Sequence, residues 1–344
     1  MRVFVTGASG AIGTRLVPQL IDAGHEVIGT FNSPRSAERL RALGAEPVAL
    51  DLLDAGAVRK AVLASEPESI VHQATAHSAN LRDLKHFDHS FAQTNRLRTE
   101  GTDALLAAAR EAGVRRFVAQ SFATYGRYAR DGGPVKSEDD PLDPTPVPAM
   151  RETMAAARHL DDAVTEAGGI ALRYGAFYGA SNDALVEPVR KRQFPIVGDG
   201  GGIWSFIHLD DAAAATVLAL EHEGAGIYNI VDDEPAPVRE WLPVLAEVLG
   251  AKPPRRFPRW LARQLAGEAV VMMETDSRGA SNAKAKRVLG SELRHPSWRQ
   301  GFVAAYESSA GDSRSVKPDR QAKAREHFGG EPVAGRTAAV RGDE

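Results

Sequence analysis

The chain has 344 residues, with 42 basic and 45 acidic side chains and a formal net charge of -3. That balance gives no general attraction to nucleic acid. The absence of cysteine excludes disulfides, thiolate catalysis and Cys-ligated zinc. No run of 18 apolar residues offers a membrane span, and no signal-peptide pattern opens the chain, so a cytoplasmic protein is expected.

Arg2 to Val5 reads as a strand, Gly7 to Gly13 as a glycine-rich turn, and Thr14 to Ala23 as a helix. A strand, a glycine turn and a helix start in that order predict a site for the diphosphate of a dinucleotide. Gly7, Ser9, Gly10, Ala11, Ile12 and Gly13 are its expected residues. The glycines allow a tight turn, a close approach to the phosphates and close packing of helix on strand.

Glu26 to Thr30 is a second strand, and its exit, Thr30 to Arg35, carries no acid. A carboxylate there would hold the ribose hydroxyls of NADH. Asn32, Ser33 and Arg35 would instead hold a 2'-phosphate, so NADPH is the expected cofactor and NADH the second choice. Arg35 also reads as a plain solvated charge at a helix start. Glu46 to Leu50 and Ser69 to His72 are further strands. Ala74, Thr75 and Ala76 are small enough for a cofactor to cross the sheet edge there. His77, His86, Asp88 and His89 match no zinc spacing, and no metal is expected. Gln93 to Ala109 predicts one long helix, and Val114 to Ala119 the fifth strand. Five strand–helix units with interior Val and Ile predict a parallel sheet covered on both faces.

The Gly-x-x-Gly-x-x-Gly spacing resembles the extended branch of the short-chain dehydrogenase/reductase family, with its epimerase/dehydratase-like fold. The resemblance implies an α/β, Rossmann-type doubly wound parallel sheet with a smaller, mostly C-terminal substrate domain. It places Asp51 and Leu52 beside the adenine and Asn95, in an Asn-x-x-x-x-x-Gly-Thr pattern, near the cofactor. It also puts Ser121 at the position of the catalytic serine or threonine. The family's tyrosine, and the lysine four residues later, correspond to Met150 and Met154 at the start of a helix near residues 148–164. Neither methionine can donate a proton. Either both pack a helix in an inactive cofactor-binding sensor or structural protein, or they floor a pocket for a flat substrate. The second reading is similar to atypical, angucyclinone-type ketoreductases of aromatic polyketide antibiotic biosynthesis. It implies an aromatic small-molecule ketone, protonated by its own phenol or by a water on Ser121. Tyr125 and Tyr128 are reserve donors.

Residues 127–149 have loop composition and are expected at the substrate mouth. Phe177, Tyr178, Trp204 and Phe206 join Tyr128, Met150 and Met154 as expected substrate walls. Asp210 and Asp211 read as a helix cap and a structural bridge. Residues 258–273 read equally as a lid or as a surface helix. The expected division is 1–180 for the cofactor, 181–309 for the substrate with strands near 203–231 free to return, and 310–344 as a flexible tail. The residues do not choose between monomer and homodimer.

Overall fold

In the computed structural model, which describes residues 1–76, 83–179 and 184–312, seven strands form one sheet. The expected tail from residue 313 on, His77, and the Ser181–Asn182 start of the second domain lie outside the described residues. The strands of the first half are β1 (Arg2–Thr6), β2 (Glu26–Phe31), β3 (Glu46–Ala49), β4 (Ser69–His72) and β5 (Arg116–Phe122). A two-residue strand β6 (Val135–Lys136) follows, then β7 (Ile170–Tyr174). Later come β8 (Ala176–Tyr178), β9 (Ile196–Val197), β10 (Ile203–Trp204), β11 (Phe206–His208) and β12 (Gly226–Ile230). The sheet order is β12-β7-β5-β4-β1-β2-β3, all parallel. The strand order reverses at β1, which pairs with β2 on one side and β4 on the other. The crevice at such a reversal is where open α/β sheets bind ligands.

Helices α1 (Gly13–Asp22), α2 (Pro34–Ala42), α3 (Ala55–Ser65), α4 (Phe87–Arg96), α5 (Thr102–Ala112) and α6 (Arg151–Glu166) follow the strands of the first half. Successive residues of β1 face opposite layers, so both faces of the sheet need cover. Val3 and Val5 pack with Leu16 and Leu20 of α1, while Phe4 packs with Val62, Leu105 and Leu160 on the other face. The expected long helix over 93–109 is two helices joined by a wide, π-type turn, Leu97–Gly101. Strand β5 runs three residues beyond its expected end, so Ser121 lies inside the strand.

The second half adds α7 (Val186–Arg190), α8 (Leu209–Glu221), α9 (Val238–Val248), α10 (Arg259–Ala266) and α11 (Glu268–Thr275). Helix α8 packs on α1, and β12 returns to the edge of the main sheet beside β7. A separate core forms around Trp241, Trp298 and Phe302. Tyr178 and Phe206 belong to it, at 1% and 0% exposure, rather than to a substrate wall. No described helix is long and apolar enough to cross a membrane.

Candidate active site

A groove of about 850 Å³ runs along the carboxyl ends of β1, β2, β3 and β4. Gly7, Ser9, Gly10, Ala11, Ile12 and Gly13 line it, with Asn32, Ser33, Asp51, Leu52, Ala74, Thr75 and Ala76. The turn depends on two glycines. Gly7 has φ +72°, and a Cβ on Gly13 would stand 2.3 Å from the Ala8 carbonyl oxygen. No side chain caps α1 and its first turn holds no acid, so the helix start is left to an anion. The donor set therefore fits the diphosphate of a dinucleotide.

Sequence reasoning missed Gln73, Gln93, Gln120 and Phe31, which also line the groove. Gln73 directly follows β4 and Gln120 lies in the carboxyl-terminal half of β5, a position that marks them once the strands are known to be parallel. Gln73 donates to the Tyr174 hydroxyl at 3.2 Å, and its own carbonyl oxygen has no partner. Asn95 lies outside the lining. It donates to Thr153 Oγ1 at 3.0 Å and ties α4 to α6, with its Oδ1 free of partners. His72 is a core residue: burial pulls its pKa down to about 4. Its Nδ1 lies 2.7 Å from Thr6 Oγ1.

Helix α4, which brings Gln93 to the groove, also brings Phe87 and Phe91 to an apolar cluster with Phe122, Met150, Met154, Met272 and Met273. Met150 and Met154 are buried in it, at 0% and 6% exposure. Tyr125 packs edge-on against Phe122 and Phe87, each at 5.7 Å between centroids, and has φ +58°. Such a backbone is uncommon for a side chain of this size and marks a held turn.

Behind the cluster lies a buried ionic group that the sequence did not announce. Asp161 on α6 accepts from Arg127 at 2.6 Å and from Arg173 at 2.8 Å. Burial alone would raise the pKa of Asp161, but the two guanidiniums outweigh it and hold the carboxyl below its ordinary value. Ser121, 1% exposed, lies near enough to help lower it, while its hydroxyl has no hydrogen-bond partner among the described residues. Gln120 faces the groove and Ser121 the opposite side of β5, as alternation in a strand requires. Tyr128 is fully buried, donates to Asn229 at 2.6 Å and accepts from Arg173, so it is a structural residue. Trp204 is half-buried, donates to the Met273 carbonyl and packs on Trp241. Of the seven expected substrate-wall residues, only Phe177 lines the groove.

His208, Asp210 and His295 bring ligand atoms within 4.8 Å of one another. The two imidazoles lie 3.9 Å apart between centroids, with their planes tilted by 35°. His208 Nδ1 instead accepts the Asp210 N–H and caps α8.

The pattern of the NAD dependent epimerase/dehydratase family matches residues 3–231. A 3-diazoavenalumate denitrifying reductase from a Streptomyces species is 43% identical over 88% of this chain and 99% of that protein. The solved structure of MoeE5 in complex with UDP-glucose and NAD has a TM-score of 0.68 and 25% identity, covering 92% of this chain and 100% of that one. UDP-glucose 4-epimerase of Thermotoga maritima, solved with UDP-glucose, has a TM-score of 0.71 and 22% identity, covering 91% and 100%.

Two expectations are corrected. The preference for NADPH gives way to NAD(H). MoeE5 holds NAD, Arg35 is exposed and off the groove lining, and the Ser33 hydroxyl is spent on capping α2 through Ser36. The aromatic ketone gives way too. The ligand in the solved relatives is a sugar nucleotide, and the aromatic side chains expected to cradle a ring, Tyr128, Tyr178 and Phe206, are interior.

Proposed function

The chain belongs to the NAD dependent epimerase/dehydratase family and is an NAD(P)-dependent oxidoreductase of small molecules, and from that premise we propose a reductase that uses NADH to replace a diazonium group by hydrogen. One observation carries this reading: Met150 and Met154, which the resemblance sets at the family's proton-transferring tyrosine and lysine, are both buried. A ketone that takes a hydride becomes an alkoxide and needs a proton, and a sugar epimerase needs its acid–base pair throughout. The narrower expectation of a polyketide ketoreductase meets the same obstacle. A diazonium group does not. It takes one hydride, a C–H bond forms, the C–N bond breaks, and dinitrogen leaves as NADH becomes NAD+. Charge balances with no proton moved. The name of the Streptomyces relative, which the match spans almost entirely, supports this reading.

NADH supplies the hydride when bound. In this reading Gly7 to Gly13 hold the diphosphate, Asp51 and Leu52 flank the adenosine end, and Gln73, Gln120 and Phe177 border the nicotinamide end. The methionine cluster keeps water from the reacting carbon. The cytoplasm, where NADH is regenerated, is the proposed compartment. NADH deuterated at C4 of the transferred face, mixed with a stable arenediazonium salt, tests the proposal. One deuterium should appear on the product carbon for each dinitrogen released, at a rate set by enzyme concentration. Turnover of UDP-glucose to its epimer, with the diazonium salt reduced no faster than in buffer, would replace this reading by a sugar-nucleotide one.

A further inference from the structure

Arg98 lies on the wide turn between α4 and α5, 5% exposed, with its guanidinium 4.7 Å above the Phe122 ring. Its Nε and Nη1 have no hydrogen-bond partner among the described residues. Two more guanidiniums, Arg127 and Arg173, are buried close by, and both are satisfied by the same carboxylate, Asp161. Among the described residues, the buried group thus holds three cations and one anion. Burial pulls Arg98 down to about 10, with Arg127 adding to the effect and Tyr125 and Asp161 opposing it, so it stays charged at neutral pH. A buried guanidinium with two donors left unmade is costly, and an anion that reached it would recover that cost.

The position says which ligand. Leu97, the residue before Arg98, lines the groove, as does Gln93 one turn earlier. Phe122, beneath Arg98, belongs to the cluster of Met150 and Met154. Arg98 thus lies one residue beyond the groove lining and over Phe122 of the methionine cluster, without lining the groove itself. The diphosphate cradle of Gly7 to Gly13 is a separate part of the groove. We propose that Arg98 is the receptor for an anionic oxygen group of the substrate, a carboxylate or a phosphate, held where the groove lining meets the methionine cluster. This rests on the reading of the groove as an NAD(H) site, and it deepens the diazonium reading. A bare cation would be repelled by the surplus buried charge. A diazonium substrate enters as a zwitterion, with its anion on Arg98 and its diazonium end toward the hydride.

Calorimetric titration of the NAD+-loaded protein separates the sources. Benzoate and benzamide probe a carboxylate, and UDP-glucose probes a phosphate. The NAD+ titration that precedes them tests the groove itself, and none of these steps requires turnover. The wild type should bind benzoate or UDP-glucose, and benzamide at least tenfold more weakly than benzoate if the carboxylate is the ligand. Arg98→Met should weaken the bound anion about 10- to 100-fold, the range of charge-assisted hydrogen bonds. NAD+ affinity should hold, and the melting temperature should hold or rise, since an unpaired buried charge is removed. Arg98→Lys should restore most of the binding. If Arg98→Met does not fold, Arg98→Gln takes its place against Arg98→Lys. Loss confined to benzoate identifies a carboxylate, and loss confined to UDP-glucose a phosphate. The proposal is overturned if neither anion binds the NAD+-loaded wild type. Equal anion binding by wild type and Arg98→Met, or loss of stability in both neutral variants, overturns it as well.

Discussion

Asp161 shows what a single side chain carries here. Its carboxylate is shared by Arg127 and Arg173, and its pKa is held below the ordinary value despite full burial. Its contribution to stability is therefore present above the unfolded carboxyl pKa and lost as pH falls through the lower folded one. Asp161→Asn should cost roughly 3–5 kcal/mol at pH 7, because it strands two buried guanidiniums. Urea unfolding measures this, and a loss below about 1 kcal/mol, the size of an exposed pair, would reduce the cluster to a surface-like contact. The residue was legible in principle. Met150, Met154, Ala157, Asp161 and Val164 follow a spacing of four, three, four and three, so an acid occupies the buried stripe of α6. The stripe was read for Met150 and Met154 and not for the acid. Arg98 left no such trace, because the wide turn at Leu97–Gly101 breaks the helical period that would have located it.

At the scale of the element, residues 258–275 divide in a way that composition does not show. Gly267, with φ +90°, ends α10 and lets α11 turn inward. Helix α10 exposes Trp260 and Leu265, while α11 buries Met272 and Met273 against Met150 and Met154. The apolar run was visible, but which half faced the core depended on a backbone turn that only packing sets. Glu274 in α11 accepts from the Val197 N–H at 3.2 Å, and its other oxygen has no partner. Burial pushes its pKa up to about 8. The folded protein thus keeps it protonated while the unfolded chain ionises it near the ordinary value. Stability is fully present below that value and is lost as pH rises toward 8. Glu274→Gln should change little at pH 4 and raise stability at pH 8 by on the order of 2–4 kcal/mol. Melting curves at the two pH values check this. An equal effect at both would mean that Glu274 acts by shape alone.

Across the whole molecule, the first half was legible because each of its strand–helix units is local, and the glycine turn identifies the edge of the sheet that binds. The second half was not, because its short strands pair with distant partners. Strand β8 pairs with β11, β6 with Gly279–Ala280, and β9 with Arg256–Phe257. Two or three residues of strand carry no period to read. Those long-range pairings also join the halves. Strand β12 completes the main sheet, and Leu220, Tyr228, Ile230 and Leu289 share one core with Val3 and Leu16. Gln19 of α1 donates to the Asp210 carbonyl, and the Tyr174 hydroxyl meets Thr216 of α8 at 2.6 Å. Asp211 then accepts from the N–H groups of Arg294 and His295, both at 2.9 Å, and fixes the C-terminal segment to α8. A shared core of this kind makes unfolding of the described structure one cooperative step. Asp211→Ala leaves two backbone donors unpaired and should cost about 2–4 kcal/mol. Calorimetry should show the single transition moving down as a whole. If the variant instead splits it in two, the C-terminal segment and its neighbours unfold apart from the sheet, and the shared core does not couple the halves.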